Sequence, residues 1–360
     1  MTLEMGPTIL KLEHEMTSTP TVISDSNLVY YRLGESTHSR LSLAAVEKFF
    51  SEHRGAITSV TVVEWITKHA DDLTAIQKLL NITDLVEGPQ PIHGLHVDVA
   101  MLRKIRAARA LSEVELDIKK IIENRVQAEA ELLRFTLISL VLAFEVGVAE
   151  ARLTDPIQRQ KVVAAMATCL EANLNYVKDE LVAILRSFYA GSTKRAEIRR
   201  IFCTLMGSLA YASLVNFHCS VNGVKLAPDM DLSMLKGDQF LQRIAKADDP
   251  VAILKAIGPR EIRDTTPKYL SSLHAILTAF GVSPETIGYW CSRLSKALAD
   301  RKIPDKNDML DMLILDAVSH TDNAVLATAD DDVCEMLKQY HPASYAFLQA
   351  HLPDALPRQS

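Results

Sequence analysis

The stretch "TVISDSNLVYY", residues 21–31, changes from a strand pattern to a helix pattern within a few positions. The β-branched run "TVIS" is typical of a short buried strand, and an apolar helical segment follows "DSN". Asp25 or Ser26 is in position to cap that helix. A carboxylate next to buried apolar segments is costly unless something pairs with it, so Asp25 needs a partner.

The same change of pattern occurs again further along the chain, in "GAITSVTVVEWITKHADDL" at residues 55–73. We predict a strand at Ala56–Val60 that continues into a helix carrying Glu64. An amphipathic helix is predicted before it, at 42–53. Alternation of strands and helices favours an α/β domain with a parallel sheet.

The central part of the chain has helical periodicity and few strand signals. Proline and glycine residues separate the predicted helices. Long helices are predicted at 98–150, 156–189 and 194–215, a loop or short hairpin at 221–232, and shorter helices at 238–247, 250–257, 267–280 and 284–299.

An α/β pattern returns in "PDKNDMLDMLILDAVSHTDNAVLATADDDV", residues 304–333. It predicts a helix from "NDMLDMLILDAVSH", a strand at "AVLAT" and a further helix from "DDVCEML", and the final "LPDALPRQS" is typical of a frayed tail. The simplest architecture is one α/β domain formed by 20–97 and 301–350. Residues 98–300 form an all-helical insertion that selects a substrate or a partner.

Composition is that of a soluble globular protein: 360 residues, 48% hydrophobic and 23% charged, with a formal net charge of -6. The five cysteines lack CxxC spacing, which favours reduced thiols. The N-terminus lacks the pattern of a secretory signal. The apolar run "FTLISLVLAF", residues 135–144, is too short to span a bilayer and predicts a buried helix. We therefore expect a cytoplasmic protein without membrane contact.

Acidic residues occupy equivalent places around the predicted strands. Asp25 ends the first strand, Glu64 follows the second, Asp308 and Asp311 lie early in a late helix, and Asp330 follows the last strand. Residues that follow parallel strands gather in one crevice. Clustered carboxylates favour a cation, and hard oxygen ligands suit Mg²⁺ or Mn²⁺. Sequence motifs for nucleotide-triphosphate binding, dinucleotide binding and serine hydrolysis are absent.

Four motifs around these acids resemble those of the PIN domain, a nuclease fold found in VapC-type toxins and RNA-processing enzymes. They are "DSNLV" at Asp25, "SVTVVE" ending at Glu64, "DMLILDA" at Asp311 and "TAD" at Asp330. Asp311 fits the third motif better than Asp308, which fits a variant of it together with Asn307. The remaining acids near these motifs are expected to lie at the surface or to cap helices: Asp316, Asp331 and Asp332. The resemblance covers only 20–95 and 301–345, and 247 positions separate Glu64 from Asp311.

The resemblance implies a PIN-like parallel sheet and metal-dependent hydrolysis of RNA phosphodiester bonds. The implied Mg²⁺ or Mn²⁺ ligands are Asp25, Glu64, Asp308, Asp311 and Asp330, with Thr328 and Asn27 orienting carboxylates or water. By analogy with the family, a toxin or defence effector acting on tRNA or another structured RNA is one interpretation. A regulatory protein partner and a homodimer are compatible with it.

Two basic runs in the central helices are candidates for contact with a nucleic-acid backbone. They contain Arg103, Lys104, Arg106 and Arg109, and Lys194, Arg195, Arg199 and Arg200. A solvated helix face with ordinary ion pairs is the alternative interpretation.

Two other functions stay open on the sequence. The first is a catalytically inactive PIN-like scaffold whose helices bind a protein, although a scaffold has no need of four acids. The second is a DNA nuclease of related fold, although such enzymes usually carry a denser set of acids and a DNA-binding helical motif.

Overall fold

A computed structural model of the chain describes residues 19–53, 55–82, 84–85, 97–223, 258–300 and 306–357. The sheet in this part is small and fully parallel, with the strand order β3-β2-β1-β4. Its strands are β1 (Thr21–Ser24), β2 (Gly55–Ile57), β3 (Asp84–Leu85) and β4 (Ala324–Ala327). The prediction of a parallel sheet flanked by helices is confirmed in this coarse form.

Among the described residues, seven helices belong to the segments that carry the strands. Four follow β1 and β2 and precede residue 97, and three surround β4. Their bounds are α1 (Ser26–Arg32), α2 (Leu43–Glu52), α3 (Ser59–Lys68), α4 (Leu73–Ile82), and, after the central segment, α11 (Lys306–Ser319), α12 (Asp331–Tyr340) and α13 (Pro342–His351).

The central segment is helical throughout its described part. Its helices are α5 (Val99–Ala107), α6 (Glu115–Arg152), α7 (Pro156–Tyr189), α8 (Arg195–Asn222), α9 (Pro259–Ala279) and α10 (Pro284–Asp300). The prediction of one helix over 98–150 is wrong, because the chain leaves α5 at Ala108 and turns through a short 3₁₀ helix before α6. The predicted loop at 221–232 lies largely outside the described residues, and the predicted helices at 238–247 and 250–257 lie wholly outside them.

Strand β2 is shorter than predicted. It ends at Ile57, and α3 begins at Ser59, so the expected strand at Ala56–Val60 is wrong at its C-terminal end. The β-branched residues that suggested a longer strand are buried on α3 instead. Packing against the core outweighs their preference for extended backbone.

The chain after α13 is packed rather than frayed. A 3₁₀ helix spans Pro353–Ala355, and Leu352 and Ala355 are buried in the main core. The prediction of a loose tail is therefore wrong for residues 352–356. Burial of these side chains offsets the conformational entropy lost when the segment is ordered.

Helix α6 is long and apolar and is therefore compared with a membrane-spanning helix. Among the described residues it is the one helix long and apolar enough to cross a bilayer, and 61% of its most apolar stretch is buried inside the protein. The expectation of too short an apolar run underestimated this helix, which has 38 residues. Most of that stretch is packed against the rest of the protein, as in a core helix.

Strand β4 lies at the edge of the sheet, where backbone groups on its open side need partners. The amide of Leu326 donates to the hydroxyl of Ser344 on α13 at 2.7 Å, and both groups are buried. Helix α13 therefore supplies, through one side chain, a hydrogen bond that a further strand would otherwise provide.

We expect Ser344→Ala to lower the free energy of unfolding by about 1–3 kcal/mol, because it leaves the buried amide of Leu326 without an acceptor. Urea titration followed by circular dichroism measures this change. The matched control is Ser192→Ala at an exposed position, for which we expect a change within about 0.5 kcal/mol. Equal midpoints for both variants would contradict the role given to Ser344.

Candidate active site at the strand ends

Three polar side chains follow the carboxyl ends of adjacent strands. Asp25 follows β1, Thr328 follows β4 and Thr58 follows β2. The register pairs Ser24 with Ala327 and Ile23 with Ala56, so the next residues lie level across the sheet. The sheet therefore brings Asp25 between two threonines.

The carboxylate of Asp25 is buried, with 5% of the residue exposed. Its Oδ2 accepts hydrogen bonds from Thr328 Oγ1 at 2.9 Å and from Asn27 Nδ2 at 3.4 Å. Asp25 is the N-cap residue of α1, but its side chain makes no capping hydrogen bond. The prediction that Asp25 caps this helix through its side chain is therefore wrong, and the carboxylate is directed to the strand end instead.

Burial raises the pKa of Asp25 from 3.8 to about 6. The hydrogen bond from Thr328 opposes this shift, while the charges of Asp330 and Glu64 add to it. Two further carboxylates therefore act on Asp25 through the protein interior. The predicted proximity of these three acids agrees with this electrostatic coupling.

Glu64 lies on α3 and is held by a residue of α1. Ser26 Oγ donates to Glu64 Oε2 at 2.6 Å and lies 3.2 Å from Thr61 Oγ1. The serine of the "DSN" motif thus ties the second acid to the first helix, a role that the sequence did not assign. Its neighbours in the chain, Asp25 and Asn27, are joined by the hydrogen bond described above.

Asp330 both caps a helix and contacts the residues at the strand end. Its Oδ1 accepts from the amide of Val333 at 3.1 Å, which caps α12. Its own amide donates to Thr328 Oγ1 at 3.1 Å. The hydroxyl of Thr328 therefore bridges the Asp330 backbone and the Asp25 carboxylate.

The third-motif acid contacts the neighbouring helix α10. Asp311, on α11, accepts a hydrogen bond from Tyr289 of α10 at 3.2 Å, and it is not among the dominant influences on the Asp25 pKa. The side chain of Asp308 lies outside the described part of the chain. The structure thus brings together Asp25, Glu64 and Asp330 and leaves the position of a third-motif acid at the site as a prediction.

We call these three carboxylates the acidic corner. Their oxygens are hard donors of the kind that Mg²⁺ and Mn²⁺ require. Within the described residues, however, no set of three or more His, Cys, Asp or Glu side chains is spaced to hold a metal ion. The carboxylates instead bind Ser26, Thr328 and the amide of Val333. The donors fit a divalent ion chemically, but they do not form a finished coordination sphere.

A buried basic residue of the central segment adjoins the acids and escaped sequence analysis. Arg125 of α6 pairs with Glu129, and α6 packs against α3. Burial alone would lower the pKa of Arg125, but the charges of Glu129, Tyr189 and Glu64 outweigh it, so this pKa lies above its ordinary value. Sequence gives no signal for this residue, because an Arg–Glu pair four apart is equally typical of an exposed helix.

A second residue missed by sequence is Thr58. It is fully buried, and its hydroxyl has no hydrogen-bond partner among the described residues. An unsatisfied buried hydroxyl costs about 1–3 kcal/mol. Its place level with Asp25 makes it a further candidate site residue.

The two predicted basic runs have mostly local partners where they are described. Lys104 forms an ion pair with Asp117, and Arg106 donates to the carbonyl of Leu80. Arg103, Arg109, Lys194 and Arg200 are exposed. The side chains of Arg195 and Arg199 lie outside the described part. The run 102–109 is not one helical face, since α5 ends at Ala107.

Asp316 was expected to be a surface or capping acid, and the surface expectation is wrong. Only 1% of it is exposed, and its Oδ1 accepts from the amide of Ser283 at 3.1 Å. Burial raises its pKa. Asp331 and Asp332 agree with the expectation, because they form ion pairs at the surface with Arg40 and with Arg293.

The raised pKa of Asp25 predicts a pH-dependent stability. Its folded pKa of about 6 exceeds the unfolded value of 3.8, so the native state binds more protons between these pH values. The free energy of unfolding then falls as pH rises through this window. We expect Asp25→Asn to be more stable than wild type by about 2–3 kcal/mol at pH 8, without added metal, and equal to it near pH 4.

Urea titrations at pH 4, 6 and 8 measure this difference. Asp98→Asn is the matched control, since Asp98 is an exposed helix cap and asparagine caps as well as aspartate does. A constant gap between Asp25→Asn and wild type at all three pH values would contradict the assigned pKa.

The bridging hydroxyl of Thr328 gives a second prediction. Thr328→Val keeps the shape of the side chain but removes the donor to Asp25 and the acceptor for the Asp330 amide. We expect a loss of about 1–3 kcal/mol and a further rise of the Asp25 pKa. Thr328→Ser retains the hydroxyl and should keep the wild-type pH dependence of unfolding, measured by urea titration; equal behaviour of both variants would exclude the bridge.

Comparison of the chain with protein-family models, with curated proteins and with solved structures finds no match. No relative therefore supplies a function, and the arrangement of the residues is the basis for proposing one.

Proposed function

We propose that the protein is a metal-dependent ribonuclease with a PIN-like catalytic domain, split by the helical segment. The observation that carries the proposal is the buried carboxylate of Asp25, which lies at the end of a central parallel strand under the electrostatic influence of Glu64 and Asp330. Like charges gathered in the interior are costly, and a bound cation would offset that cost.

In this proposal Asp25, Glu64 and Asp330, with Asp311 or Asp308, would hold Mg²⁺ or Mn²⁺. Such an ion, when bound, lowers the pKa of a coordinated water and stabilises charge on the scissile phosphate. The residues of the chain keep the carboxylates in place: Thr328 and Asn27 hold Asp25, and Ser26 holds Glu64.

We propose that the substrate is RNA. The acids suit metal-dependent hydrolysis of a phosphodiester bond, and the resemblance of the motifs favours RNA as its source. The finer assignments, a toxin or defence effector acting on tRNA or another structured RNA in the cytoplasm, rest on the resemblance of the motifs. The helical segment would then select the substrate or bind a regulatory protein, and the exposed Arg103, Arg109 and Lys194 would contact the RNA backbone.

A catalytically inactive scaffold is the second candidate, and one observation favours it. The described carboxylates are engaged with hydroxyls and an amide rather than spaced as a metal site. Under this alternative, Mn²⁺ would not bind at Asp25, and the buried acids would serve only to fix the corner of the sheet.

Cleavage of labelled RNA and of DNA of the same sequence, with Mg²⁺ or Mn²⁺ and with EDTA, tests the proposal. We expect metal-dependent cleavage of RNA by wild type and a loss of about 100-fold or more in Asp25→Asn, because a charged group that acts in the transition state is removed. Mn²⁺ should raise the melting temperature of wild type and of Asp98→Asn but not that of Asp25→Asn.

Three results would contradict the proposal or narrow it. Cleavage of DNA alone would indicate the DNA-nuclease alternative. No cleavage together with no effect of Mn²⁺ on the melting temperature would favour the scaffold. Equal cleavage by wild type and by Asp25→Asn would remove Asp25 from the site.

The third-motif acid needs a separate comparison. We expect Asp311→Asn to weaken Mn²⁺-dependent cleavage more than Asp308→Asn does, since Asp311 fits the motif better. Tyr289→Phe removes the donor to Asp311 and should have an intermediate effect, of about 10-fold, as loss of a group that orients a ligand commonly does. The reverse order of the two aspartate variants would assign the role to Asp308.

A further inference from the structure

Helix α6 places a buried cation beside the acidic corner. Arg125 is 8% exposed, and its Nε donates to Glu129 Oε1 at 2.9 Å. The guanidinium carbon lies 4.6 Å from the centre of the Tyr189 ring. Tyr189 in turn donates to both carboxylate oxygens of Glu129 at 2.8 Å. The head group is therefore held on one edge and on one face.

The same guanidinium is coupled to the candidate site. The carboxylate of Glu64 acts on Arg125, and both Glu64 and Arg125 act on the phenol of Tyr30 in α1. Asp25 also contributes to the field at Tyr30. Helix α6 packs against α3, the helix that carries Glu64, and this contact places Arg125 at the junction between the strand-end acids and the helical segment.

Arg125 has N–H donors that no described residue accepts. Its Nε is the only donor engaged with a described residue, and the remaining N–H donors, all on its two Nη atoms, bind no described residue. A guanidinium in this state suits bidentate recognition of phosphate oxygens. Neither Nη atom is among the buried polar atoms that lack a partner, so both reach the protein surface, where a phosphate could approach them.

We propose that Arg125 is a substrate-binding residue, supplied by the helical segment, whose Nη groups bind the backbone phosphate of an RNA whose scissile bond lies at Asp25. This inference rests on the proposed function and assigns to α6 a positive charge that acts on the strand-end acids. Glu129 and Tyr189 contact the Nε edge and one face of the head group, and the proposal assigns neither of them a contact with RNA or a part in binding it. The alternative is a purely structural ion pair, in which Arg125 and Glu129 only join α6 to its neighbours.

RNA binding by the full chain separates the two roles. The parent is Asp25→Asn, and the probe is a fluorescein-labelled single-stranded RNA whose anisotropy is measured with Mg²⁺ at several salt concentrations. We expect Arg125→Gln to raise Kd about 10-fold and to reduce the slope of log Kd against log salt by about 0.7, the share of one phosphate contact on a single strand. Arg125→Lys keeps the positive charge but lacks the paired Nη donors of the guanidinium. The salt dependence of log Kd should therefore equal that of the parent, while Kd rises.

Glu129→Gln is the matched control. It breaks the same buried ion pair and should lower the melting temperature, but it retains Arg125, so Kd should not rise. If the ion pair is only structural, Arg125→Gln and Glu129→Gln should weaken RNA binding equally. If Arg125→Gln does not fold, the double variant Arg125→Gln/Glu129→Gln, which has no unpaired charge, is compared with Glu129→Gln and should show the same 10-fold loss.

The outcomes separate this inference from the proposed function. RNA binding that does not change in Arg125→Gln, equal weakening in Glu129→Gln, or no binding by the parent would overturn the role of Arg125. Arg125-dependent binding without any cleavage by wild type would contradict the nuclease proposal and leave the phosphate contact standing. A DNA probe of the same sequence shows whether the contact is to any phosphate backbone or depends on RNA.

Discussion

The parallel pairing of β1 with β4 is the contact on which the rest of the molecule depends. It places Ser24 beside Ala327 in register and thereby sets Asp25 beside Thr328, whose hydroxyl donates to the carboxylate at 2.9 Å. Strand β1 also pairs with β2 on its other side. That second pairing sets the positions of Thr58 and Glu64, which follow β2. The helical segment has to leave and return within this frame, with α6 packed on α3. A small sheet thus organises a chain in which helices are the majority.

The acidic corner illustrates how burial and charge compete. Desolvation and two neighbouring carboxylates raise the pKa of Asp25, and a single threonine hydroxyl works against them. The same hydroxyl accepts from the amide of Asp330, so one side chain links the two ends of the α/β unit. On α6, which packs against the helix of Glu64, Arg125 and Glu129 form a buried pair. The charges of this region therefore form a connected set that extends from the strand ends to the junction with α6 and α7.

Sequence alone predicted the strands at "TVIS" and "AVLAT", the parallel arrangement and the gathering of the strand-end acids, because side chains after parallel strands converge on one edge. The contact of Thr328 with a carboxylate was expected only from the resemblance of the motifs. It placed the end of β2 wrongly, since Val60 and Thr61 prefer strands in isolation but pack on α3 here. It missed Arg125 and Thr58, whose significance comes from burial by helices distant in sequence. It also took Asp316 for a surface acid. Helix α11 is apolar around most of its circumference, so periodicity gave no sign of which face is covered.

The order of the segments along the chain has a consequence for synthesis. Asp25 and Glu64 are translated early, whereas Thr328 and Asp330 follow some 300 residues after Asp25. At about 5–20 residues per second, this interval lasts roughly 15–60 s. During that time β1 has no β4 beside it, and the corner that buries Asp25 does not exist. Whatever chemistry the acids perform is thus withheld from the growing chain, and it becomes available only when the last strand has joined the first.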